Sequence, residues 1–596
     1  MTLSTLDWII VFSYFALSLF IGIKASKKAG KDTKSFFLAG RNMPWWLLGV
    51  SMVATTFSTD TPNLVTDLVR QNGVSGNWGW WAFLLTGMLT VFVYAKLWHR
   101  SGVLTDIEFY ELRYSGKAAA FLRGFRALYL GLVFNVLVMG PVSLAAIKFG
   151  EIVLGWPGWL TLTVACSITL AYSTLGGLKA VIITDFVQFA LAMIGSIWAM
   201  LYILSLDQIG GLSNLLIDNN VVDKLALIPD LSNPDVWVPV LLVPLAVQWW
   251  ASYYPGSEPG GGGYIAQRMF SAKDEQNAVS ATLFFNIAHY ALRPWPWILI
   301  ALSSLVIYPE LSDLQTAFPN LPPDKLGHDV AYPAMLTLLP NGLLGLVAAS
   351  LIAAFMSTMS TQLNLGASYL VNDFYHRFIS PDASEKQLVS MGRLFTIISI
   401  ILGSGLGLLL TSAGQAFNLL LMIGAGTGMI YILRWFWWRI NAWSEITALS
   451  TSILITILLE TLAWWQVSAK EGVYSLFGTE PVLFGIQIQV HHKLMIIVPI
   501  AIISWITVTL LTKPEPNTTL AKFYKKVQPG GWWGPINQNY EHTLQPVSKG
   551  FFILWVSGIM MIYGFTFGIG NLLFLNYSNA ILLFGIAIIG TYLVWK

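Results

Sequence analysis

Charge is scarce in this sequence. Only 11% of its 596 residues are Asp, Glu, Lys or Arg, against 55% hydrophobic, and the mean hydropathy is +0.64. A water-soluble surface of that size cannot be built from so few charges, which makes the chain an all-α polytopic membrane protein with the lipid bilayer as its first partner. Cysteine is almost absent. The single Cys166 excludes a disulfide framework and any cysteine-based metal site. Histidine is scarce too: most of the seven lie in loops, and the His491–His492 pair falls at an outer interface, so haem and metal centres lack ligands. With no nucleophile or cofactor motif either, the sequence reads as a non-enzyme that needs no cofactor. The net charge of +3 comes from basic residues in short loops and offers no nucleic-acid surface. A cleavable signal is missing as well: the apolar run over residues 6–23 has no basic segment before it and passes straight into lysines.

Long apolar runs are what the chain does have. A window of about 19 residues gives about fifteen spans, near 6–24, 43–67, 78–98, 127–149, 157–175, 179–206, 235–256, 277–307, 342–374, 387–411, 416–438, 443–465, 491–512, 550–568 and 577–595. The basic stretches "KASKKAGKDTK", "YHR" with "EKQ", and "LAKFYKK" follow spans one, nine and thirteen. All three fall on one side if the N-terminus faces out, and the positive-inside rule makes that side cytoplasmic. Fifteen crossings then leave the C-terminus inside, in a cell membrane of the plasma or inner type.

Two spans are interrupted. Span two contains "ATTFSTDTPN", a run of β-branched and hydroxyl residues ending in Asp60 and Pro62, a poor continuous helix. Span seven reads "QWWASYYPGSEPGGGGYIAQR", with two prolines, five glycines and Glu258. Broken backbone at membrane depth is tolerated only where it lines a cavity. The breaks open two successive sets of five helices, 43–206 and 235–438, followed by additional helices over 439–596. Paired broken helices at matching places point to a transporter built from inverted repeats, here one transporter domain over 1–596. Residue-level identity between the two halves is not evident.

Span nine carries "AASLIAAFMSTMSTQLN" (348–364), in which Ser350, Ala354, Ser357, Thr361, Asn364 and Ser368 recur at steps of four and three. They form one stripe, widened by Thr358 and Ser360. It holds neither carboxylate nor imidazole. One reading is helix–helix glue made of small polar residues; the other is a seat of neutral oxygens for a hard cation.

Several stretches resemble the sodium:solute symporter family, which includes sodium–glucose, proline and sialic acid carriers. They are "LTDIEFYELRY" (104–114), "YSTLGGLKAVIITDFVQ" (172–188), "YIAQRMFSAKDEQNA" (264–278) and "AYPAMLTLLPNGLLGLVAASLIAAFMSTMSTQLN" (331–364), and the likeness extends over about residues 5–470. The resemblance implies a leucine-transporter-type fold, alternating access and sodium as the coupling ion. Matched residue by residue, it implies a first sodium site from the main-chain oxygens of Ala54, Phe57 and Ala354 with the hydroxyls of Ser357 and Thr358. A second site, present in some members, would use Asp185, Ser357, Ser360 and Thr361. The alternative for Asp185 is a solvated place near the cytoplasmic end of span six.

The solute pocket is expected between the two breaks. Thr61 stands where sugar-carrying relatives have glutamine, and His289 where they have lysine. Asn286, His289 and Arg293 follow at helical spacing and are expected on one face. Arg293 either snorkels at the outer end or pairs with Asp60, Glu258 or an anionic solute. Gln248, Trp249, Trp250, Tyr253 and Tyr254 of span seven complete the candidate lining. The function so implied is sodium-driven uptake of a small polar organic solute, with a sugar or sugar derivative narrowly ahead of a carboxylate-bearing compound. A sensor on the same fold is the rival class; it would normally carry a signalling domain, which the longest cytosolic loop (513–549) is too short to hold.

Overall fold

A computed structural model of the chain describes residues 3–29, 39–103, 105–173, 178–251, 262–471, 480–483, 485–537 and 550–596. The described residues are helical apart from loops, two isolated bridges and a small hairpin pairing Val482–Leu483 with Ile486–Gln487. Among the described residues, ten helices are long and apolar enough to cross a membrane. Five shorter apolar helices accompany them: Thr5–Ser18, Trp45–Thr55, Gly158–Leu170, Pro234–Gln248 and Phe417–Leu433. Each apolar segment read from the sequence overlaps one of these fifteen helices.

One of the short helices is short because the backbone breaks. Segment two is split into Trp45–Thr55 and Asp60–Asn72. At the break the Phe57 amide donates to the Ala54 carbonyl at 3.1 Å, one residue short of the helical partner Val53. Pro62 lies in the first turn of the second piece, where a missing amide proton costs little, so it helps to start a helix instead of interrupting one. Segment seven runs through Pro234–Gln248 and gives way to a separate helix, Gly263–Phe270. Its expected break, with Tyr253, Tyr254 and Glu258, falls at 252–261, outside the described residues.

The buried apolar side chains form two large clusters. One contains Phe57, Val65, Trp80, Trp297 and Ala354; the other contains Met52, Val53, Trp98, Tyr264 and Trp435. Segment two passes from the second to the first, and its break lies at the crossing. Buried polar side chains collect there, among them Thr55, Thr56, Ser58 and Thr59. The last two helices, Phe551–Leu573 and Tyr577–Trp595, pack closely: a Cβ at Gly590 would lie 2.6 Å from the Met561 nitrogen. This hairpin docks on segment three, where Trp555 Nε1 donates to Leu85 O at 2.8 Å and Tyr563 Oη to Trp81 O at 2.9 Å. It thereby backs the short helix Trp78–Trp81, which carries Trp80.

Candidate functional site

The hydroxyl-rich helix Leu343–Ser368 runs alongside the break in segment two. Thr358 Oγ1 lies 3.5 Å from the Phe57 carbonyl, and Thr59 Oγ1 donates to the Leu351 carbonyl at 3.2 Å. Ala54, Phe57, Ala354, Ser357 and Thr358 are all buried. Helix geometry explains why Ser357 and Thr358 diverge: neighbours in sequence are about 100° apart around the axis. Thr358 therefore addresses the break, whereas Ser357 Oγ donates to Asp185 Oδ1 at 2.8 Å.

Asp185 is fully buried, on the helix Leu178–Leu204. Its Oδ2 accepts from Ser51 Oγ at 2.6 Å and Thr55 Oγ1 at 3.4 Å, and lies 3.7 Å from Arg268 Nη2. Arg268, equally buried, donates to Ser51 and Thr55 as well, at 3.3 and 3.1 Å. The solvated alternative for Asp185 is thus replaced by an interior ion pair wrapped in hydroxyls. Of the other candidates for the second site, Ser360 Oγ turns onto its own helix and donates to Ser357 O at 3.0 Å. Thr361 Oγ1 is buried without a hydrogen-bond partner among the described residues. Sequence reasoning missed Arg268. It lies in the polar link "YIAQRMFSAKDEQNA" between spans seven and eight, where an arginine gives no sign of burial.

A cavity opens beside the break, lined by Thr61, His289 and Arg293 together with Asp60, Thr358 and Gln362. Its apolar wall is Trp80, Phe83, Tyr264 and Phe417. Thr61 Oγ1 accepts from the Ser58 amide at 3.2 Å, and Ser58 Oγ donates to Asp60. His289 is boxed by aromatic rings, its centroid 5.4 Å from Trp80, 5.3 Å from Phe285 and 4.5 Å from Tyr290. Arg293 does not snorkel. It is 2% exposed, donates through Nη1 to Thr56 Oγ1 at 3.1 Å and Val53 O at 3.4 Å, and lies over Trp297.

The remaining pocket candidates stand elsewhere. Gln248 donates to the Gly79 carbonyl, and Trp249 packs on Trp250 and Trp555. Asn286 donates to Thr282 O at 2.8 Å and presses against Gly87. A π-helical turn over Ile287–Leu292 is the reason: its wider winding breaks the spacing that would have set Asn286 on the face of His289 and Arg293. Tyr253 lies outside the described residues. Trp80, Tyr264 and Gln362 were not among the sequence candidates; Trp80 belongs to "WGWW" and Tyr264 to "YIAQR", neither with a spacing that marks a pocket.

The profile of the sodium:solute symporter family matches residues 36–454. A sodium/glucose cotransporter of Vibrio parahaemolyticus is 28% identical over 504 residues, covering 81% of this chain and 90% of its own. A sodium/mannose cotransporter of Bos taurus is 26% identical, covering 74% and 76%. Among solved structures, a substrate-bound, outward-open sodium-coupled sialic acid symporter superposes with a TM-score of 0.64 at 20% identity, covering 86% of this chain and 99% of that one. That likeness establishes the fold.

Proposed function

The chain belongs to the sodium:solute symporter family and is a membrane-embedded, sodium-coupled solute symporter rather than an enzyme; from that premise we propose that it takes up a sugar or sugar derivative by alternating access. Sodium binds between the break in segment two and the hydroxyl-rich helix. The ligands are the main-chain oxygens of Ala54, Phe57 and Ala354 and the hydroxyls of Ser357 and Thr358. Neutral oxygens hold a small monovalent cation without trapping it, where a cage of carboxylates would favour a divalent ion. The observation that carries this reading is the approach of Thr358 Oγ1 to the Phe57 carbonyl, which brings ligands of both elements to one place. A second ion at Asp185, with Ser357, Ser360 and Thr361, belongs to the same reading. The fifteen helices are taken as fifteen crossings in two inverted five-helix repeats plus flanking helices, with the N-terminus outside.

The solute occupies the cavity at Thr61, His289 and Asp60. Aromatic faces from Trp80 and Tyr264 suit a sugar ring, and the hydroxyl, imidazole and carboxylate groups exchange hydrogen bonds with its hydroxyls. Relatives named for glucose and mannose support that class. Arg293 supports a second reading, a carboxylate-bearing solute, because its Nε has no hydrogen-bond partner among the described residues. Purified protein in liposomes, given an inward sodium gradient and a panel of sugars, sugar acids, amino acids and small carboxylates, tests the proposal. Sodium-dependent uptake of a sugar is expected. Uptake of a carboxylate that neutral sugars fail to inhibit would reverse the choice.

A further inference from the structure

At the end of the helix Trp45–Thr55, the Val53 carbonyl loses its helical donor because the Phe57 amide bonds to Ala54 instead. A buried carbonyl left so would cost free energy. Two groups replace the amide: Thr56 Oγ1 at 2.8 Å and Arg293 Nη1 at 3.4 Å. The same Nη1 also donates to Thr56 Oγ1 at 3.1 Å. The guanidinium therefore clasps the last turn of the helix from segment eight, 240 residues away in sequence, and Trp297 supports its face with the ring centroid 5.3 Å away. What it clasps is the stretch whose next carbonyls, Ala54 and Phe57, are the proposed sodium ligands. The arginine also lines the solute cavity, so whatever enters there meets the group that holds the break.

We propose that Arg293 is a positioning residue for the ion site: it sets the backbone at Val53–Thr56 so that the Ala54 and Phe57 carbonyls converge on sodium. The inference rests on the reading of Ala54, Phe57 and Thr358 as sodium ligands. A bystander arginine makes the opposite prediction. A fixed positive charge near a cation site repels the cation, so removing a mere bystander would strengthen sodium binding. Removing a brace weakens it.

The test is a sodium titration of the purified full-length protein without solute, read as the rise in unfolding temperature over that in equal potassium. Wild type, Arg293→Gln, Thr56→Val and Thr358→Ala are compared. Thr56→Val removes the hydroxyl that the guanidinium grips and leaves the arginine in place, so it serves if Arg293→Gln does not fold. The expected result is a half-saturating sodium concentration raised about tenfold in Arg293→Gln, the scale of one lost charged hydrogen bond, and raised by less in Thr56→Val. Unfolding temperatures in potassium should show both variants folded. Thr358→Ala keeps the two ideas apart. If it weakens sodium binding while Arg293→Gln and Thr56→Val leave it unchanged or tighter, the brace is overturned and the ion site stands. If wild type shows no sodium-specific shift, or Thr358→Ala titrates like wild type, the ion site itself falls.

Discussion

Asp185 and Arg268 are both fully buried, and each is the other's only charged partner within 4 Å among the described residues. Breaking such a pair from one side strands a charge in a low-dielectric interior, at about 3–5 kcal/mol. Asp185→Asn and Arg268→Gln should therefore each lower stability by that order in thermal unfolding, and the double variant should lose much less than the sum. Additive losses would mean that the two residues do not stabilise each other. Where Asp185→Asn still transports, it should lower the Hill coefficient for sodium, because it removes the only carboxylate proposed for the second ion. A Hill coefficient near one in the wild-type protein would rule out that ion before any variant is made. This pairing was hidden in the sequence, since two charges on different helices declare a need for partners without declaring each other. The hydroxyl stripe, by contrast, was legible from its spacing, whereas the sodium site proposed at Ser357 and Thr358 follows from the family resemblance.

Elements are held in place by contacts that periodicity does not reveal. Asp7, near the start of the first helix, accepts hydrogen bonds from the Gly342 and Gly345 amides, both at 2.7 Å. A carboxylate thus caps the N-terminus of the hydroxyl-rich helix, where exposed amides and the helix dipole favour negative charge. Asp7→Asn should cost about 1.5–3 kcal/mol, the range for hydrogen bonds to a charged group, read as a lower unfolding temperature. An unchanged temperature would show the cap to be dispensable. On the expected cytoplasmic side, Glu111 accepts from Arg123 and Arg377, the latter at 3.0 Å, tying the short helix Phe109–Arg113 to neighbouring helices. Burial pushes its carboxyl upward, and the two arginines more than offset that, so its pKa lies below the ordinary glutamate value. Its stabilising contribution is therefore complete above the unfolded value of about 4.3 and is lost as pH falls through the lower, folded value. In Glu111→Gln, stability should fall less steeply with acid over that window than in wild type. Among these elements, the break in segment two could be read in advance because its run of β-branched and hydroxyl residues disfavours a continuous helix, although Pro62 proves to start the second piece. The π-helical turn at Ile287–Leu292 could not: no composition marks it, and Asn286 lies outside the cavity that His289 and Arg293 line.

For the whole molecule, the number of ions sets how far the solute can be concentrated. Each sodium entering down 100 mV releases roughly 2.3 kcal/mol, so one ion supports about fortyfold accumulation of a neutral solute and two on the order of a thousandfold. In the proposed mechanism both outcomes depend on a site assembled from two elements, the broken segment two and the hydroxyl-rich helix. The most direct test is therefore the sodium dependence of uptake into liposomes for wild type, Ser357→Ala and Thr358→Ala, using whichever solute the panel identifies. The account predicts saturable, sodium-driven uptake in wild type and, in both variants, a half-saturating sodium concentration raised tenfold or more, about the loss of one hydrogen bond to a charged group. Uptake driven equally by potassium, or variants with the sodium dependence of wild type, would contradict it.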